Sequence, residues 1–209
     1  LVGGLRLIQE DKDFDGVVSF FENNDDRRIE SSNPLFSIES LETDNDEFLW
    51  SGKVQLEFTP DDESLYYAGV NRGVKAGSFN APLFGGLSPY DEEILWSYEI
   101  GTKLTLMNGL AQLNASAYFY DYNDYQSFSF RNNTSAVTNE DATYKGVEVE
   151  LFANPTPALD VSLGVSFIDA EVEDLQINTT TFRDTEPPFT PEWQVSGLVR
   201  YTWENVFEG

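Results

Sequence analysis

Residues Leu110 to Tyr120 read LAQLNASAYFY, with Ala111, Leu113, Ala115, Ala117 and Phe119 interleaved with Gln112, Asn114, Ser116 and Tyr118. Successive side chains of a β-strand point to opposite faces, so this stretch has one apolar face and one largely polar face. The same pattern recurs on both sides of it. Tyr98, Ile100, Leu104 and Leu106 oppose Glu99, Gly101, Lys103 and Thr105, and Trp50, Val54, Leu56 and Phe58 oppose Ser51, Lys53, Gln55 and Glu57. Further along, Val147, Val149 and Leu151 oppose Glu148 and Glu150, while Val161, Leu163, Val165 and Phe167 oppose Ser162, Gly164 and Ser166. With weaker runs at 1–10, 64–74 and 192–203, the pattern predicts about eight strands of roughly ten residues, a length that crosses a bilayer at a tilt. Strands of soluble proteins are nearer five or six residues.

The connections alternate between long and short. Long ones are expected near 12–46, 75–92, 127–142 and 174–191, and short ones at Thr59–Glu63, Met107–Gly109 and Asn154–Asp160. Asn108-Gly109 suits a tight type I′ hairpin, which needs positive φ at both central residues. Long loops on one rim and short turns on the other is the layout of outer-membrane barrels. The stretch from Asp11 to Glu47 holds twelve acidic residues against Lys12, Arg27 and Arg28, and is expected to be a solvated loop. Within it, Asp44, Asp46 and Glu47 offer hard oxygen ligands but lack the spacing of an EF-hand. Aromatic residues gather near strand ends, at Tyr66 and Tyr67, Trp96 and Tyr98, Tyr118 to Tyr125, and Trp193, Tyr201 and Trp203, as the two interfacial girdles of a membrane barrel require.

Composition narrows the chemistry. The 37 acidic residues against 12 basic ones give a net charge of -25, which repels nucleic acid and anionic surfaces alike. Aromatic residues at 14% argue for a folded chain. With no cysteine and no histidine, disulfides, thiolate or imidazole metal sites and the Ser-His-Asp and Cys-His nucleophile systems are excluded. No catalytic residue, metal or cofactor is expected, and the chain is read as a non-enzyme. No apolar run approaches the ~18 residues of a spanning helix, so a membrane location requires a barrel. The N-terminal LVGGLRLIQEDKD lacks the parts of a signal peptide and is expected to start within a strand.

At Leu65–Asn80 the sequence reads LYYAGVNRGVKAGSFN, which resembles a barrel segment of TonB-dependent outer-membrane receptors, Tyr-Ala-x-x-x-Arg-Gly-Phe-Lys-Ala-Gly-Gly-Phe-Asn. Tyr67, Ala68, Arg72, Gly73, Lys75, Ala76, Gly77, Phe79 and Asn80 match, while Val74 and Ser78 replace the family's Phe and Gly. Ser97–Lys103, Ala117–Gln126, Gly146–Glu150 and Phe167–Ala170 resemble further family strands in the expected order, so the likeness covers 65–170. The resemblance implies an all-β, antiparallel, up-and-down transmembrane β-barrel of 22 strands around a plug, of which residues 1–209 supply about eight strands. It implies a receptor in the outer membrane of a Gram-negative bacterium that imports a scarce ligand, most commonly a ferric siderophore, with energy from TonB. Plug and terminal strands are expected to be missing here, and with them the contact to the TonB complex and transport by this piece alone.

Candidate ligand contacts are Arg72, Lys75, Phe79, Asn80, Tyr122, Tyr125 and Arg131. Arg72 and Lys75 suit an anionic ligand, or else neighbouring carboxylates or lipopolysaccharide phosphates. Tyr122, Tyr125, Phe128, Phe130 and Arg131 suit either stacking on a planar ligand or an interfacial girdle. Two rival architectures are a complete eight-stranded barrel, whose first and last strands must pair, and a secreted acidic β-sandwich. In the sandwich, Leu104, Leu113, Ala115, Ala117, Leu163 and Val165 are buried against a second sheet.

Overall fold

In an antiparallel sheet the strands pair through their backbones, and each side-chain row runs across the strands on one face. The computed structural model, which describes residues 1–20, 36–80, 88–131, 134–178 and 181–203, is built this way throughout. Its strands are β1 (Val2–Phe20), β2 (Phe36–Asp61), β3 (Ser64–Lys75), β4 (Ser78–Asn80), β5 (Ser88–Tyr90), β6 (Glu93–Leu106), β7 (Ala111–Arg131), β8 (Thr134–Thr156), β9 (Leu159–Asn178), β10 (Thr181–Thr185) and β11 (Trp193–Tyr201). The main sheet runs β1-β2-β3-β6-β7-β8-β9-β10, and β11 pairs with the other end of β9, so β10 and β11 form one interrupted stave. All pairings are antiparallel, and the eight predicted strands fall on these staves in order.

The apolar side chains share one face in register. One row runs Phe58, Tyr66, Thr102, Ala115, Val149, Val165 and Val195 across seven strands. The upper edge of this apolar belt is oblique. It stands at Trp50 on β2, but on β9 it stands at Phe167, whose row meets β2 at Leu56. That is a drop of roughly three rows, or about 20 Å along the strands, over about five interstrand steps of ~4.8 Å, an obliquity near ~40° as in tilted membrane barrels. The lower edge shifts the same way: Phe58 ends the belt on β2, whereas on β9 it continues past Val165 to Leu163 and Val161. Aromatic pairs mark both edges, with Trp50–Trp96 and Phe167–Trp193 above, and Phe58–Tyr66 and Tyr201–Trp203 below.

No second sheet covers the belt among the described residues. None of the six residues diagnostic of a sandwich is buried, and Leu163 is 42% exposed. Among the described residues the buried apolar ones are few: Leu49, Ala111, Ala142, Ala170 and Val172. The sheet does not close on itself either, since β1 pairs only with β2 and β10 and β11 only with β9 among the described residues. It is a sector of a barrel.

Three expectations need correction. The stretches near 12–46, 127–142 and 174–191 are not loops for most of their length, because β1 and β2 stay paired as far as Phe20↔Phe36, β7 and β8 as far as Arg131↔Thr134, and β9 and β10 as far as Asn178↔Thr181. Residues 21–35 and 81–87 lie outside the described residues. Beyond the belt both faces meet water, so the ladder continues where the alternation of polarity stops. There Asp11↔Asp46, Asp13↔Asp44 and Asp15↔Glu42 face each other on the exposed side, like charges that exposure to water makes tolerable. Glu47 points to the opposite face, so Asp44, Asp46 and Glu47 form no common cluster. The Asn108-Gly109 turn is longer than a two-residue type I′ hairpin: the ladder closes at Leu106↔Ala111, and Met107, Asn108 and Gly109 all have positive φ.

The belt predicts an asymmetry between adjacent residues. Ala115→Arg is expected to cost about 2–4 kcal/mol in urea unfolding from lipid vesicles, and Ser116→Arg, on the other face beside Glu148, under ~1 kcal/mol. Equal costs would remove the belt.

Candidate functional site

The face opposite the belt is polar, and its central wall is built from cross-strand rows. Tyr67↔Gly101↔Ser116↔Glu148 forms one, and Glu99↔Tyr118↔Gly146 another. The Tyr67 ring lies flat over Gly101, where a Cβ would come within 2.5 Å of it, and its hydroxyl donates to the Glu99 carboxylate. Tyr118 covers Gly146 in the same manner, again leaving 2.5 Å. The glycines make room for rings from neighbouring strands. Below them Tyr67, Glu99, Lys103, Asn114, Glu148 and Glu150 line a recess of about 230 Å³. The Asn114 side-chain nitrogen donates to Glu150 at 3.4 Å, while its oxygen is buried without a partner. Three carboxylates against one ammonium make the recess acidic and suited to hydrogen-bond donors and cations.

Above the belt the same face carries a tyrosine cluster. Tyr122 packs on Tyr125 and Tyr144 with ring centroids 5.4 and 5.1 Å away. The small residues Ala142 and Ala170 pair with Tyr122 and Tyr144 and are buried. Burial, then the Glu93 carboxylate, pushes the Tyr122 phenol up to about 12. Burial and a hydrogen bond with Tyr125 raise that of Tyr144 as well. At neutral pH these groups are neutral hydrogen-bonding phenols. Lys75 stands beside them, 3.9 Å from Glu93 and exposed.

Here the β3–β6 hairpin breaks, then resumes as the β4–β5 ribbon in unchanged register, from Lys75↔Glu93 to Ser78↔Tyr90. Backbone groups at the break are satisfied by side chains of the flanking hairpins. Lys12 donates to the Gly77 carbonyl, and the Gly77 amide donates to Glu47 at 3.1 Å. On the other side Gln126 donates to the carbonyls of Ala76 and Asp91 at 2.9 and 3.1 Å, and Asn139 both donates to and accepts from the Asp91 backbone. Gly77 is buried, and a Cβ there would lie 2.6 Å from the Tyr90 carbonyl oxygen and 2.5 Å from Glu47. This close approach accounts for the glycine.

Of the residues singled out in the sequence, Lys75, Tyr122 and Tyr125 come together on the polar face. Arg72 does not join them, because it pairs with Gly52 and Trp96 on the apolar face. Phe79 and Asn80 lie farther out in β4, paired with Pro89 and Ser88. Arg131 ends β7, and its side chain lies outside the described residues, as does that of Phe130. The aromatic run Tyr118 to Tyr125 divides by parity: Tyr118, Tyr120 and Tyr122 face the polar wall and are not girdle residues. Glu93, Glu99, Gln126, Asn139 and Tyr144 also belong to the site, although the sequence did not mark them as contacts, since only the register across strands brings them together.

Residues 1–208 match the family model described as TonB dependent receptor-like, beta-barrel. Among solved structures, the ferric yersiniabactin uptake receptor FyuA from Yersinia pestis superposes with a TM-score of 0.67 at 19% identity, covering 94% of this chain and 28% of that one. The ferric-catecholate import receptor Fiu from E. coli K12 gives 0.65 at 17% identity, with coverages of 95% and 29%. The siderophore receptor PiuA from Acinetobacter baumannii gives 0.59 at 16%, with coverages of 98% and 29%. The chain thus spans under a third of the length of each.

Two outcomes are expected at the cluster. Ultraviolet titration of wild type and Tyr122→Phe will assign to Tyr122 an ionisation near pH 12, so stability present below the ordinary tyrosine range, near pH ~10, is lost as pH rises through 12. An ordinary value would contradict the packing. Gly77→Ala is expected to cost about 1–3 kcal/mol and to speed amide exchange at Ser78–Asn80. Unchanged exchange would show that the seam has room.

Proposed function

The chain belongs to the TonB-dependent receptor-like β-barrel family, and from that premise we propose that it forms a sector of an outer-membrane receptor that captures a ferric siderophore and imports it with energy delivered through TonB. The family is one of transport receptors. The single observation that carries the ligand assignment is the Tyr122–Tyr125–Tyr144 cluster beside Lys75 at the head of the polar wall. Neutral phenols and an exposed ammonium suit an anionic, aromatic ferric complex, because rings stack and the ammonium meets its charge. Solved neighbours named for ferric yersiniabactin, ferric catecholates and siderophores support the same cargo.

In this proposal the apolar belt faces lipid in the outer membrane of a Gram-negative bacterium, and the long hairpins face outward. The polar wall faces the bore, where the acidic recess of Glu99, Glu148 and Glu150 meets a plug domain. Contact with the TonB complex runs through that plug. The free edges of β1 and of β10 and β11 pair with the remaining strands of a 22-stranded barrel, since an unpaired backbone edge in hydrocarbon costs several kcal/mol for each group.

Uptake of radioactive iron by an iron-starved strain, with and without the gene, tests the assignment. Wild type is expected to restore uptake from at least one ferric siderophore, and Tyr122→Ala with Tyr125→Ala to weaken ligand binding about tenfold. Uptake that does not depend on the gene for any siderophore sinks the iron assignment.

A further inference from the structure

Lys75 and Glu93 face each other across the last rung of the β3–β6 ladder, yet their ion pair stays open at 3.9 Å. The other ion pairs among the described residues close to 3.0 Å at Lys12–Glu10 and Lys145–Asp169, and to 2.6 Å at Arg200–Asp160. A competing donor accounts for the difference. The Gln126 backbone N–H donates at 2.8 Å to Glu93 Oε2, the same oxygen that faces Lys75. This bond ties the carboxylate to β7, where it is 14% exposed, and leaves the Lys75 side chain 61% exposed.

A bulge brings Gln126 to this position. The β7–β8 register slips between Tyr122 and Tyr125, and Asp124 within the slip has a φ of 57°. Such a bulge re-aims the residues that follow it. Gln126 also lies past the end of the β6–β7 ladder, which stops at Ile94↔Asn123, so its N–H turns to Glu93. Its side-chain nitrogen donates to the carbonyls of Ala76 and Asp91 at 2.9 and 3.1 Å. Ala76 follows Lys75 and Asp91 lies two residues before Glu93, so one side chain grips both strands of the rung. Sealing the break in the hairpin needs only the side-chain bonds. The backbone bond to Glu93 does something else.

Resting on the ligand reading above, we propose that Gln126 is a positioning residue of the capture site, which keeps Glu93 from neutralising Lys75 so that the ammonium meets the anionic group of a ligand stacked on the tyrosines. Without the side-chain amide, the backbone N–H at position 126 drifts from Glu93 and Lys75 closes on the freed oxygen. An anion then has to displace the protein's own carboxylate. Stacking on Tyr122 and Tyr125 does not use the ammonium, so charge, not aromatic area, is what Gln126 controls.

Fluorine NMR of the full receptor, carrying 3-fluorotyrosine in place of Tyr125, tests this with two probes: 2,3-dihydroxybenzoate, an aromatic anion, and catechol, its uncharged counterpart. Wild type is expected to prefer the anion about fivefold, the scale of an exposed charge pair, and Lys75→Met to abolish the preference. Gln126→Met is expected to bring it below about twofold while leaving catechol affinity unchanged. In a Glu93→Gln background the same change at Gln126 is expected to have no effect on the preference, because nothing remains for Lys75 to close on. Heat-modifiable migration confirms that each variant is folded. Equal weakening of both probes by Gln126→Met, or an unchanged preference, overturns the positioning role and leaves the ligand reading standing. Binding of neither probe by wild type overturns that reading and this inference with it.

Discussion

Backbone N–H and C=O groups cannot go unpaired in an apolar medium, and every other feature of this structure follows from how the sheet meets that demand. Antiparallel ladders pair each strand with its neighbours, which forces side chains to alternate. Register then lines up the alternation across strands, so that Phe58, Tyr66, Thr102, Ala115, Val149, Val165 and Val195 form one row. The obliquity of the belt relative to such rows is the tilt of the strands made visible in residue types. With few buried apolar side chains among the described residues, the sheet depends on its ladder and on the medium outside it more than on an interior core.

The ladder also shapes the polar wall. A large ring on one strand needs a neighbour that yields space, and Tyr67 over Gly101 and Tyr118 over Gly146 are two solutions of one problem. Where the β3–β6 hairpin leaves the sheet, the lost ladder bonds are replaced by Lys12, Glu47, Gln126 and Asn139. The family-like segment Lys75-Ala76-Gly77 therefore marks a seam in the sheet, and Gly77 is small because the seam is tight. The ligand contacts proposed for Lys75 and the tyrosines sit beside that seam.

What the sequence revealed depended on contrast between the faces. Inside the belt, Ala111 to Phe119 and its counterparts alternate apolar with polar, and every stave was legible. Beyond it Asp11, Asp13 and Asp15 pair with Asp46, Asp44 and Glu42 in a ladder wet on both faces, which reads as a loop. For single residues parity was the missing step: Arg72 is two residues from Val70 and so shares the apolar face, while Tyr122 is an odd number from Phe119 and does not. That Glu93, Gln126 and Asn139 meet follows only from register, which no single strand encodes.

The alternation itself can be measured directly, because the chain has no cysteine to interfere with site-specific labels. Single cysteines placed at each position from Gln112 to Tyr118, labelled with a fluorophore in vesicles of brominated lipid, should be quenched at Leu113, Ala115 and Ala117 and spared at Gln112, Asn114, Ser116 and Tyr118. Uniform quenching along this stretch, or quenching in the opposite phase, would contradict the assignment of the apolar face to lipid.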